Sequence, residues 1–262
     1  MTLEAEDRCP IRYAPIRRGP TRPGASRPAR PAWAAARRAR AALRILVGGG
    51  LALVGPPRAA CAELAWQDGI PTLESLPERA RSTMSMRLEK TIFRVDVLTL
   101  RLRVDPATAA DLDSLVSGGE EYDGALAPEI AERALRADEA VAEIEFLRDV
   151  GLDRFLEGVR ADMRKAVEAG WLEPGGYRAV SEGLPGWFVF LRERGIRDGD
   201  RISYRVRGDT LRTVYADPAG DVLLDQTDVG RQNVLALLGA YLAPGSSFRE
   251  GLIRSLWEPS GR

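Results

Sequence analysis

The chain has 262 residues, 45% hydrophobic and 29% charged, with 38 basic and 38 acidic residues. That composition suits a globular body large enough to bury a real core. It holds no histidine, which excludes Ser-His-Asp and Cys-His catalysis and His-ligated zinc, and its two cysteines are too few for a disulfide framework or a four-thiolate site.

The balanced charge hides a split. Residues 1–62 hold twelve arginines against Glu4, Glu6 and Asp7, a net charge of +9. The body after them therefore carries −9, which argues against a nucleic-acid partner. The basic tract is rich in Pro, Arg, Ala and Gly, without apolar periodicity, so it reads as disordered. It ends in an export pattern. Arg37, Arg38, Arg40 and Arg44 precede the apolar run Ile45–Gly55, and Ala60-Cys61-Ala62 closes it with small residues. Cleavage near Ala62 would release a periplasmic or secreted protein. The run is too short for a transmembrane span, which needs about 20 residues. Three segments result: 1–62, a disordered basic tail plus signal peptide; 63–86, a lead-in; and 87–262, the folded domain.

The lead-in carries Pro71 and Pro77 and no sustained period. Thr91–Val104 is β-branched and alternating, which predicts one long strand. Its two halves are out of phase, so a bulge near Val97-Leu98 or a change of buried side is expected. Arg94 and Asp96 interrupt an otherwise Ile/Leu/Val face. They pair with each other, meet a ligand, or lie in water.

Asp105-Pro106 ends that strand, and Asp111–Ser117 reads as a short helix. Pro128 opens a helix to about Ala140, and Val141–Val150 alternates as a half-exposed strand. Asp153 is a candidate cap for a helix with Phe155, Leu156, Val159, Met163 and Val167 at helical spacing. A second stripe runs from Tyr177 to Leu191 and should break at Pro185. Arg201–Val206, Thr210–Tyr215 and Val222–Asp225 form a meander of short strands. Arg231–Leu242 is helical, and Ser247-Phe248-Arg249-Glu250 reads as a capping box for a last helix. Irregular interleaving with an antiparallel meander predicts an α+β fold, one sheet with helices packed on it.

Chemistry-bearing motifs are sparse. There is no G-x-S-x-G, S-x-x-K, Walker A or H-E-x-x-H. Carboxylate pairs include Glu143/Glu145, on a predicted solvent face, and Asp198/Asp200; none is read as a glycosidase dyad. No metal or cofactor is expected.

Lys90–Leu100 resembles the first strand of the bacterial chalcone isomerase-like proteins. Phe146–Val150 followed by the Phe155–Ala169 helix, then Gly199–Tyr204, the meander, and the helices Leu235–Leu242 and Ser247–Trp257 follow in that family's order. The resemblance covers about residues 87–257. It implies an open-faced β-sandwich, a large antiparallel sheet with helices layered on one face and a ligand cleft between them. Family enzymes close a flavanone ring, with an arginine holding the phenolate and Thr, Tyr and Asn side chains ordering water and substrate. Sister proteins bind fatty acids without chemistry.

Carried over by position, the arginine falls near Arg87, the threonine on Asp96, the tyrosine on Phe155 and the asparagine on Asp162. Phenylalanine supplies no hydroxyl, and an aspartate beside a phenolate is repulsive. The resemblance therefore implies the fold without flavonoid isomerisation. The expected function is non-catalytic binding of a small amphipathic or anionic ligand, such as a fatty acid. The expected ligand-binding residues are Arg87, Arg94, Asp96, Phe155, Val159 and Asp162. The alternative is an isomerase or lyase with Arg87 as anion holder and Asp96 or Asp162 as base.

Overall fold

The structure is a computed structural model, and it describes residues 69–90, 95–119 and 121–258. Six strands form one sheet in strict chain order: β1 (Thr83–Lys90), β2 (Val95–Val104), β3 (Glu139–Phe146), β4 (Arg201–Arg207), β5 (Thr210–Ala216) and β6 (Val222–Val229). Every neighbouring pair is antiparallel. The helices are α1 (Pro106–Val116), α2 (Ala127–Leu135), α3 (Leu152–Glu168), α4 (Pro174–Trp187), α5 (Leu191–Arg194), α6 (Arg231–Leu242) and α7 (Arg249–Arg254). The fold is α+β, as the sequence predicts.

Alternation along the strands decides which face the helices cover. Leu98, Leu100, Leu102 and Val104 of β2 share a face with Ala142, Ile144 and Phe146 of β3 and with Ile202 and Val206 of β4. These pack into one core with Ile130, Leu156, Met163, Val234, Leu238 and Leu252 from the helices. The opposite face carries ion pairs instead. Arg101 reaches Glu143 at 2.6 Å, Arg205 and Arg207 share Glu139, and Arg212 holds Asp225 through two 2.9 Å bonds. Among the described residues, a short strap crosses that outer face. Leu73 and Leu76 cover Val141 there, Leu73 N donates to Glu143, and the buried Arg103 donates to the carbonyls of Leu73 and Leu76.

Several expectations need correction. The single strand over Thr91–Val104 is the second arm of a pair, because Met84, Met86 and Leu88 make a strand of their own opposite Leu102, Leu100 and Leu98. β1 thus begins inside the lead-in segment. The phase change is a real bulge: Leu88 faces Leu98 while Glu89 faces Asp96, which leaves Val97 without an opposite residue. The helix from Pro128 stops at Leu135, not Ala140, because Ala140 is needed in the ladder opposite Val104 and Val206.

Asp153 does not cap α3. Extended Gly151 does, and Asp153 sits in the first turn, where its charge favours the helix dipole. Pro185 does not break α4 but lies inside it. Its missing N–H orphans the carbonyl of Ser181, and Arg160 of α3 donates to that oxygen at 3.3 Å and to the Ser181 hydroxyl at 3.1 Å. Nor does the capping box form. Phe248 takes the cap position of α7 without a side-chain bond, and Ser247 turns to another partner.

Candidate functional site

Helical spacing brings three of the expected residues together. Phe155, Val159 and Asp162 lie on one stripe of α3, facing the covered side of the sheet. Phe155 meets Phe146 of β3 and Phe188 after α4 edge-on, at centroid separations of 5.7 and 5.5 Å. Phe190 and Tyr215 continue the aromatic row. Such edge-to-face pairs hold the helix layer at a fixed height above the sheet.

Asp162 is the polar point of the stripe. It is buried, and Ser247 engages it three ways: its amide donates to Oδ1 at 3.0 Å, and its hydroxyl lies 3.0 and 2.9 Å from the two carboxylate oxygens. Tyr241 of α6 senses this carboxylate, and its phenol and that of Tyr204 on β4 act on one another's protonation. Burial pushes the Tyr241 phenol well up, and Tyr204 and the Asp162 charge push it further. Burial likewise raises Tyr204, against an opposing pull from Tyr241. Both phenols therefore keep their protons at neutral pH. The result is a cluster of oxygen groups, Asp162 bonded to Ser247 with the Tyr241 and Tyr204 phenols in electrostatic reach, within a largely apolar layer. It can hydrogen-bond a polar head group.

Of the other expected residues, Arg87 is on the opposite face of the sheet. Arg87 is exposed on β1, opposite Thr99, on the outer face; its neighbours Met86 and Leu88 pack inward. The sheet thus separates Arg87 from Phe155, Val159 and Asp162. Arg94 lies outside the described residues. Asp96 stands on β2 opposite Glu89.

Sequence reasoning missed Tyr204 and Tyr241 as a pair. Their signals were present, since Tyr204 alternates with Ile202 and Val206, and Tyr241 falls on the apolar stripe of α6.

A second buried polar group was also missed. Asp200 is fully buried and accepts from Arg194 Nη1 at 2.5 Å, Arg194 Nη2 at 2.6 Å, the Tyr215 hydroxyl at 2.6 Å and Arg197 N at 2.7 Å. Burial alone would raise its pKa, but Arg194, Tyr215 and the Arg197 amide together hold it below the usual carboxylate range. With every donor directed inward, this cluster anchors the α5–β4 turn.

The outer face has a cleft of about 270 Å³ between residues 69–75 and Arg205 and Arg212. Both arginines there already hold carboxylates, Glu139 and Asp225. Glu143, of the Glu143/Glu145 pair, accepts from the strap and from Arg101. Among the described residues, no group of three or more Cys, Asp or Glu side chains is placed to hold a metal ion, and no helix is long and apolar enough to cross a membrane.

No family model matches the chain, and no curated protein matches it in sequence. Among solved structures it is similar to the crystal structure of the fatty-acid binding protein AtFAP1 of Arabidopsis thaliana. The identity is 13%, the TM-score is 0.42, and the match covers 68% of this chain and 88% of that one.

Proposed function

We propose that the chain is an exported chalcone isomerase-fold protein that binds a small amphipathic ligand, such as a fatty acid, and performs no reaction on it. One observation carries the reading: the buried Asp162, bonded to Ser247, and the Tyr241 and Tyr204 phenols lie within the same otherwise apolar core that Phe155 and Val159 pack against. Buried hydroxyls in apolar surroundings are costly unless they are bonded, and they are suited to fix one polar end of an otherwise oily molecule. The two neutral phenols would bind the head group, and Phe155 and Val159 would flank the chain. Because Asp162 is close to Tyr241, a protonated acid or an alcohol head suits the site better than a carboxylate.

The isomerase reading with Arg87 and Asp162 requires both groups on one substrate, and the sheet stands between them. Export rests on the charge split and on the Arg37–Ala62 pattern. The test is extraction and mass spectrometry of lipid co-purified with the protein, followed by displacement of a fluorescent fatty acid. We expect bound lipid, and loss of uptake in Val159→Trp. A delipidated protein that takes up neither fatty acids nor fatty alcohols refutes the reading.

A further inference from the structure

The two edges of the sheet are treated differently. On β1 the edge is covered. α7 and the turn after it pack along the strand, the Ser85 amide donates to Ser255 Oγ at 2.8 Å, and Gly251 lets the backbone close onto Met86. β6 is the other edge. It is eight residues long, contains no proline or lysine, and exposes three large apolar side chains: Val222 at 50%, Leu223 at 36% and Val229 at 77%. Its two acids are occupied within the chain, Asp225 by Arg212 and Asp228 by Gln226. An edge strand of this length, lacking the usual charged or proline guards, is a pairing surface.

We propose that β6 is a homodimer edge, in which two copies pair their β6 strands antiparallel about a two-fold axis at Gln226 and continue the six-stranded sheet from one molecule into the other. The register follows from the strand itself. Leu224, Gln226 and Asp228 stand opposite Tyr215, Thr213 and Leu211 and complete the ladder to β5, continuing the pattern set by the Gly230 amide on the Asp209 carbonyl. Asp225, Thr227 and Val229 alternate with them, so their amides and carbonyls point to the open edge. An axis at Gln226 sets Leu223 against Val229 at both ends, Asp225 against Thr227, and Leu224 against Asp228. Leu223 and Val229 meet apolar to apolar, and no acid faces an acid. An axis at Asp225 would place that acid against its own copy, a destabilising like-charge pair. Such self-complementarity is what a two-fold interface demands, and it favours a second copy over an unrelated peptide. The Asn233 amide reaches the Val229 carbonyl at 3.5 Å, so the central Asp225–Thr227 bonds would form the firmest part of the ladder.

One strand pair buries a small interface, which belongs to the weak, concentration-dependent class. Sedimentation velocity of the full chain from about 1 to 200 µM should therefore show conversion of monomer to dimer. Val229→Lys, at a largely exposed position, should weaken the dimer at least tenfold. Thr227→Pro removes an amide that gives nothing to β5, and should weaken it similarly while circular dichroism stays unchanged. Gln226→Cys, with Cys9→Ser and Cys61→Ser, should oxidise to a disulfide-linked dimer, because residue 226 faces its own copy. A chain that stays monomeric across this range overturns the proposal. So does a dimer that neither Val229→Lys nor Thr227→Pro affects, or one that Gln226→Cys fails to cross-link. None of these outcomes bears on the ligand reading, whose residues lie on α3, α6 and β4.

Discussion

Asp200 offers the sharpest test of how the helix layer is anchored. Its carboxylate is fully buried and receives four donors, two of them from Arg194 in a fork. Asp200→Ala would strand a guanidinium whose side chain is 23% exposed and would leave the Tyr215 hydroxyl and the Arg197 amide unbonded. Breaking a buried pair this way costs about 3–5 kcal/mol. In a domain of this size that lowers Tm by roughly 10 °C. Tyr215→Phe removes one bond to the charge and should cost about 1.5–3 kcal/mol.

The pH dependence has a definite sign. The folded-state pKa of Asp200 is depressed, so its contribution is complete above the unfolded value of about 3.9 and is lost as pH falls through the folded value. Asp200→Asn should therefore be less stable than the parent at neutral pH and show a flatter loss of stability below about pH 4. Urea unfolding followed by tryptophan fluorescence, repeated between about pH 2 and 7, measures both effects. A penalty under about 1 kcal/mol for Asp200→Ala, or parallel acid limbs for Asp200→Asn and the parent, would refute the argument.

Four further outcomes are expected. Ser247→Ala removes the hydroxyl contacts to Asp162 and should cost about 1–3 kcal/mol in urea unfolding, because the acceptor is buried. Gly239→Val should destabilise by about 1–3 kcal/mol, since a Cβ there would lie 2.8 Å from that of Ala166 where α6 crosses α3; an unchanged urea midpoint would contradict that close approach. Arg103→Ala should release the strap, read as faster limited proteolysis near residues 73–80 with the core still cooperative. N-terminal sequencing of exported material should begin at Glu63, and a start upstream of Arg37 would reject the cleavage site.

Much of the fold was legible in local pattern. β4, β5 and α6 are recovered nearly residue for residue, because their periodicity and turn residues agree. β1 was lost because Pro71 and Pro77 masked the short alternation Met84-x-Met86-x-Leu88. The Val97 bulge was detectable as a phase change, but its partner strand was not. At the candidate site, helical spacing alone grouped Phe155, Val159 and Asp162. The Ser247–Asp162 bond joins positions 85 residues apart, and the Tyr204 and Tyr241 phenols that act on one another sit on a strand and a helix. Nothing local encodes such contacts. The same limit explains the capping box: Ser247 met the local rule, but a buried carboxylate outcompeted the helix terminus.

The strictly sequential sheet also governs how the chain can be made. Each strand meets its neighbour soon after emerging, so the sheet can lengthen vectorially from β1 onward. Yet the guard of β1 is α7 and the turn holding Ser255, which are synthesised last. Until they arrive, nascent β1 presents a raw edge, and a ribosome stalled before Arg249 would hold a nearly complete sheet sticky at its oldest strand. Completion of this protein is a circular event, in which its final turns seal its first strand.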